Sequence, residues 1–369
     1  MNFALTEEQE MLRKQARSFM ETKFPPERIA ELSDASGSRD RASWRQIAEL
    51  GWTGLSVPET LGGAGGSFVD EAVVIEEQGR VLYPGPYFST AIMSLPAIEH
   101  TADLLGRAIN GELTLTLAWA EPSGPFFMTE VEDCGTKAER YNGSWRLTGE
   151  KFLVPDLSVA DRVIVAASTT EGVGLFATEQ TGESSLSLDP TRSLGGLRLE
   201  ATRASLLVEP RRATEVIQRI RLRALAALAV EAVGVSQKAL ELATDYSKLR
   251  RQFDKPIGSF QAVSHQVADI YVETELARSL AYWAAWCVAE EDESAQAAAA
   301  SAKAFCAETA VRACERSIQV HGGVGFTWEH MLHRYYRRAQ WIDAFEGHGR
   351  IHREQVAREL LDSVNAPAE

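Results

Sequence analysis

Cysteine is scarce in this chain. Four cysteines in 369 residues, Cys134, Cys287, Cys306 and Cys314, show no CxxC spacing. A disulfide framework and a zinc site are therefore not expected, and the thiols read as reduced and mostly buried. Long apolar runs are also missing. The longest, around Leu225 to Val235, is interrupted by Glu231 and is far shorter than the ~20 residues a bilayer span needs. The first residues, Met1-Asn2-Phe3-Ala4-Leu5-Thr6-Glu7-Glu8, carry acids where an export signal needs a basic start and an apolar stretch. Basic excess is absent too: 38 Lys and Arg against 52 Asp and Glu leave a net charge of −14, which argues against a nucleic-acid backbone as main partner. The expectation is a cytoplasmic protein with neither nucleic acid nor membrane among its partners. What remains, 45% apolar and 24% charged residues over 369 positions, is enough to bury the cores of two or three globular domains.

The hydrophobic period changes twice along the chain. From Thr6 to about Arg107 it is helical. Thr6 and Gln9 form a capping-box pair, and Leu5, Met11, Leu12, Ala16 and Phe19 fall near one stripe. A helix from about Ser43 to Leu50 is closed by Gly51, and another runs from about Phe68 to Val81. Between them Leu61-Gly62-Gly63-Ala64-Gly65-Gly66-Ser67 lacks the Gly-Lys-Ser/Thr ending of a phosphate loop and reads as a structural turn. From Glu112 to Glu209 short strands follow one another. These include Leu113 to Leu117, the hairpin Lys137–Tyr141, Asn142-Gly143, Trp145–Leu147, and runs at Arg162–Ala166, Val173–Ala177 and Ala204–Val208. From about Ala213 onward four or five long helices return, with alanine-rich stretches at 224–232 and 297–304 that permit close packing. The fold class expected is α+β: an N-terminal helical domain (1–111), a central antiparallel β sandwich or barrel (112–209) and a C-terminal helical bundle (210–369).

The run Gln319-Val320-His321-Gly322-Gly323-Val324-Gly325-Phe326, followed by Phe345-Glu346-Gly347, is the most chemical part of the sequence. Glycines without Cβ let a backbone approach a phosphate or a ring, and a carboxylate nearby can remove a proton. Glu231, alone in Ala226-Ala227-Leu228-Ala229-Val230-Glu231-Ala232, is a costly choice for a helix unless it is functional or paired with a cation of a neighbouring helix. His330 with His333, and His348 with His352, have metal-compatible helical spacing. No HExxH carboxylate accompanies them, and no metal is expected.

Several segments together resemble the acyl-CoA dehydrogenase family over nearly the whole chain. They are Thr6-Glu7-Glu8-Gln9 with Leu12-Arg13, Glu49-Leu50-Gly51-Trp52 into Val57-Pro58-Glu59 and Gly62-Gly63, and Arg250-Arg251-Gln252-Phe253-Asp254-Lys255-Pro256-Ile257 with Phe260-Gln261. The last is Gln319 to Phe326 with Thr327-Trp328-Glu329-His330. The resemblance implies FAD as cofactor, with Arg250 on its pyrophosphate, Phe253 packed on it, and Gln319, Gly322, Gly323 and His348 among its contacts. It implies an acyl-CoA thioester as substrate, with Phe345 and Gly347 beside it. Glu346 stands at the position of the base that takes the α-proton while the β-hydride passes to flavin N5, giving a trans-2-enoyl product. Glu231 is the rival base. The resemblance also implies an electron-transferring flavoprotein as acceptor and a homotetramer, or a heterotetramer with a related subunit as in the branch acting on steroid-derived thioesters. The chain departs from the pattern at Trp119-Ala120-Glu121-Pro122-Ser123-Gly124-Pro125-Phe126, where a hydroxyl residue usually precedes Glu-Pro. It departs again at Leu153-Val154-Pro155-Asp156, in place of Trp-x-Ser/Thr, and at Asp254 and His348. These departures leave open a flavin-incomplete partner subunit of a heteromeric enzyme; a flavin oxidase or monooxygenase on the same fold is a third reading.

Overall fold

The computed structural model describes residues 5–34, 40–124, 126–185 and 187–365, with side chains described for all of these except 34, 133 and 362–365. Met1 to Ala4 of the export reading and Pro125 of the Glu-Pro segment lie outside the described residues. The α+β class expected is the one observed. The chain forms two compact units, one of residues 1–30, 68–83 and 225–369, the other of residues 31–67 and 84–224.

The first unit is helical. It holds α1 (Glu7–Lys23), α4 (Phe68–Val81), the second half of α7 (Pro210–Leu249), α8 (Gln261–Ala289), α9 (Ala295–His321), α10 (Leu332–Ala344) and α11 (Gly349–Asn365). The predicted capping box starts α1: Gln9 N–H donates to Thr6 Oγ1 at 3.2 Å and Thr6 N–H to Gln9 Oε1 at 3.1 Å. Ala16 of the expected stripe is buried, but Met11 is 70% exposed, and Met20 takes the inward place instead. α4 begins and ends where the periodicity put it, although Glu71, Glu76, Glu77 and Arg80 on it are buried. Arg17 and Arg80 pair with Glu77, Arg80 also with Glu241, and Arg278 with Glu76, so the charges of Glu76, Glu77 and Arg80 are compensated within the unit. Two glycines let α4 and α7 touch. A Cβ on Gly234 would sit 2.1 Å from the Glu76 carbonyl oxygen, and one on Gly79 would sit 2.4 Å from that of Glu231.

The second unit holds the end of α2 (Pro26–Asp34), α3 (Arg41–Glu49), a buried π-helical turn (Phe88–Ser94), α5 (Leu95–Ile98), α6 (Ala102–Ile109), seven strands and the start of α7. The strands are β1 (Leu115–Ala118), β2 (Lys137–Tyr141), β3 (Ser144–Pro155), β4 (Arg162–Thr169), β5 (Gly172–Thr178), β6 (Glu183–Ser185) and β7 (Leu194–Val208). Six of them run in the order β1-β4-β2-β3-β7-β5, β6 pairs with β7 off this path, and β5 pairs back to β4, so the sheet closes on itself as a barrel. The expected hairpin joins β2 to β3, with Asn142 and Gly143 both at positive φ (48° and 78°) as a type I′ turn requires. Most pairings are antiparallel, but β1 and β2 run parallel to β4. Strand alternation could not reveal this. β1 is buried along its whole length, because the Thr116 hydroxyl finds the Pro155 carbonyl at 2.5 Å. Leu147, Val163, Val165, Phe176, Leu197 and Leu199 fill the barrel, with Trp145 edge-on to Phe176.

Candidate active site

In the helical unit, α10 ends at Phe345, whose extended backbone (φ −68°, ψ 129°) breaks the helix while its N–H still donates to Trp341 O. Glu346 and Gly347 follow at φ 58° and 103°, and α11 starts at Gly349. A left-handed backbone is natural for glycine and unusual for a glutamate, and such residues persist only where surrounding structure imposes them. Glu346 is 5% exposed. The Gly347 carbonyl accepts from Lys303 Nζ at 3.1 Å and from His352 Nε2 at 3.1 Å, and the Asp343 carbonyl accepts from the same Lys303 Nζ at 3.2 Å. Phe345 stacks on Trp341, centroids 4.7 Å apart and planes 16° apart. His348 is exposed, and its Nδ1 lies 2.8 Å from Asp343 Oδ2.

Glu231 is placed differently. It is 1% exposed and ion-paired with Arg338 of α10, itself wholly buried, which is the paired arrangement that the sequence left open.

The other predicted residues sit on turns of the same unit. Gln319 is exposed on the last turn of α9. Gly322 follows at φ 63°, and the space where Cβ atoms on Gly322 and Gly323 would stand is open to 4 Å. Arg250 is exposed at the end of α7. Next comes a two-strand hairpin, β8 (Arg251–Gln252) and β9 (Lys255–Pro256), whose turn residues Phe253 and Asp254 both have positive φ (51° and 64°). Type I′ turns favour Asn-Gly; a phenylalanine there is strained, and Phe253 holds its ring 86% exposed. The donor set suits an anionic nucleotide: a guanidinium fork, an outward aromatic ring and bare glycine backbone.

Sequence reasoning missed Lys303. It lies in Ala297-Ala298-Ala299-Ala300-Ser301-Ala302-Lys303-Ala304, and the argument that singled out Glu231, a lone charge among alanines, applies to it equally.

In the barrel unit one altered segment, through Trp119 and Glu121, joins a buried cluster with Cys134, Thr136 and Lys151. Lys151 Nζ lies 2.7 Å from Glu121 Oε1, 3.1 Å from Trp119 O and 3.2 Å from Cys134 Sγ. Thr136 N–H and Gly135 N–H also donate to Glu121. Burial alone would raise the Glu121 carboxyl, but the Lys151 charge and the donors from Cys134, Lys151 and Thr136 bring it down to about 2. The carboxylate is an ionised structural anchor for β3.

The match to known proteins follows this layout. Residues 216–361 match the acyl-CoA dehydrogenase C-terminal domain and residues 6–103 its N-terminal domain. The chain belongs to the acyl-CoA dehydrogenase family. It is an oxidoreductase acting on acyl-CoA, and FAD is its cofactor. It is 32% identical to the probable acyl-CoA dehydrogenase YngJ of Bacillus subtilis, covering 98% of this chain and 100% of that one. It is also 32% identical to the acyl-CoA dehydrogenase IpdE2 of Mycobacterium tuberculosis, covering 96% and 95%. Among solved structures, the ChsE4-ChsE5 complex from Mycobacterium tuberculosis superposes with a TM-score of 0.88 at 27% identity, covering all of both chains.

Proposed function

We propose that this chain dehydrogenates an acyl-CoA thioester to its trans-2-enoyl product, with Glu346 as the base. The observation that carries the reading is the buried, left-handed Glu346, braced on the carbonyl side by Lys303 and His352. A carboxylate withdrawn from water is a stronger base than one in solvent, and it takes the α-proton as the electron pair moves into the thioester enolate. The Glu346 N–H is placed in the same reading as a donor to the thioester oxygen, where charge develops. Phe345 and Gly347 flank the acyl group. Bound FAD supplies the acceptor, at N5, for the hydride leaving the β-carbon. Arg250 would hold its pyrophosphate, Phe253 would pack on it, and Gln319, Gly322, Gly323 and His348 would lie along it. Glu231 is assigned a structural role because Arg338 already neutralises it. Electrons leave to an electron-transferring flavoprotein, and the assembly is a tetramer in the cytoplasm. The division of the chain near residues 111 and 209 belongs to the same reading.

A second reading is favoured by Ala120 and Pro155, which replace the usual hydroxyl-bearing residues: a subunit whose flavin site a related chain completes. One structural neighbour was solved as a complex, ChsE4-ChsE5. Anaerobic titration of the purified protein with a panel of acyl thioesters separates the two. Loss of the flavin band near ~450 nm with one acyl class, and enoyl product in equal amount, is the result expected. A colourless protein that takes up no added FAD until a related chain is co-expressed supports the second reading and removes the first. Fast reoxidation of the reduced protein by air would point to an oxidase.

A further inference from the structure

Lys303 projects from the middle of α9, its side chain fully removed from solvent. An ammonium in such a place costs several kcal/mol unless firm acceptors receive it. Its acceptors include backbone carbonyls on both sides of one residue, Asp343 O three positions before Glu346 and Gly347 O one position after it. The first belongs to the last turn of α10, where the helix dipole favours a cation. The second also accepts from His352 Nε2, and because a carbonyl can only accept, the imidazole must carry its proton on Nε2. His352 comes from α11 and is also fully buried. Two donors from two helices thus meet on a single oxygen of a strained loop. Without them the pair at φ 58° and 103° has little reason to keep its left-handed backbone, since a glutamate gains free energy by leaving that region.

We propose that Lys303 and His352 are positioning residues for the base: they lock the Phe345–His348 loop in the conformation that aims the Glu346 carboxylate at the substrate α-carbon. This rests on the reading of Glu346 as base. Neither side chain touches substrate in the proposal. Both act as hydrogen-bond donors to backbone carbonyls of the loop and its flanking turn. The step they serve breaks the Cα–H bond, forms an O–H bond on Glu346, and sends the electron pair into the enolate, from which the reverse step returns it.

The test isolates that step. A thioester with no hydrogen on its β-position cannot be dehydrogenated but can exchange its α-protons with D2O. The exchange rate, thioester affinity from the flavin spectral shift, and hydrogen exchange of the peptide covering 343–348 are measured in the FAD-loaded protein. They are compared in wild type, Lys303→Met, His352→Leu and His352→Gln, the last of which keeps an N–H near the Nε2 position. Lys303→Met and His352→Leu should slow α-exchange by roughly 10- to 100-fold, the scale expected for a misplaced catalytic group. Affinity should change less than about 3-fold. The loop amides should exchange faster, and His352→Gln should recover most of the rate. Wild-type α-exchange in His352→Leu despite faster loop exchange overturns the proposal, as do equal rates in the Leu and Gln variants. That pair decides the matter even where Lys303→Met fails to fold. Glu346→Gln in the same assay keeps the two claims apart: undiminished α-exchange there removes the base assignment itself, whereas loss in Glu346→Gln with none in the His352 variants removes only the clamp.

Discussion

Three histidines near the glycine turn show how far a spacing rule reaches at the residue scale. His330 and His333 have metal-compatible spacing, yet the structure uses the rings as packing and hydrogen-bonding elements. His321 stacks on Tyr246 with centroids 4.4 Å apart and donates from Nδ1 to Ser317 O at 2.7 Å. His330 accepts from Leu332 N–H at 3.2 Å and lies 4.6 Å from the His321 ring, while His333 is edge-on to Trp328. Burial holds all three below the ordinary imidazole value of 6.5, with His321 acting further on His330, and Arg337, Arg334 and His330 on His333. Their folded values are depressed, so as pH falls through the unfolded value the unfolded chain takes protons first and the fold loses stability. Denaturant midpoints should therefore fall between about pH 7.5 and about 5.5. His330→Asn, which keeps an acceptor for Leu332 N–H, should flatten that slope; an unchanged slope would mean His330 titrates alike in both states. Residue types were legible in sequence, but their partners were not. Glu231 invited both a catalytic and a paired reading, and its pairing partner Arg338 lies 107 positions away.

Elements were legible where a local rule decides them. The Thr6–Gln9 cap, the bounds of α4, the left-handed Gly51 and the Asn142-Gly143 hairpin all follow from a few neighbouring residues. The left-handed turn before α11 was not, because the donors that meet on the Gly347 carbonyl, Lys303 and His352, come from α9 and α11. Nor was the buried charge on α4, since the second partners lie on α1, α7 and α8. The close crossing of α4 and α7 gives a test with two signs. Gly234→Ala should lower stability by roughly 1–3 kcal/mol, because the new methyl meets the Glu76 carbonyl oxygen. Gly106→Ala in α6 has nothing within 4 Å and should raise stability by roughly 0.5–1 kcal/mol. Both are read from urea unfolding midpoints; equal effects would contradict the account of how the helices approach.

For the whole molecule, the α, β, α order and a central sandwich or barrel were visible in the change of hydrophobic period; the parallel pairings of β1 and β2 with β4 were not, because they join strands distant in sequence. No described helix is long and apolar enough to cross a membrane. Family membership defines the chemistry available, while the assignment of the base rests on one loop of the helical unit. The most direct measurement is anaerobic reduction of the bound flavin by a thioester substrate in wild type, Glu346→Gln and Glu231→Gln. Glu346→Gln should retain FAD and bind thioester yet fail to bleach, slowed by at least ~10³-fold, as expected for loss of a proton-abstracting group, while folded Glu231→Gln should still bleach. Normal bleaching by Glu346→Gln alongside none by Glu231→Gln would contradict the account and move the base to α7.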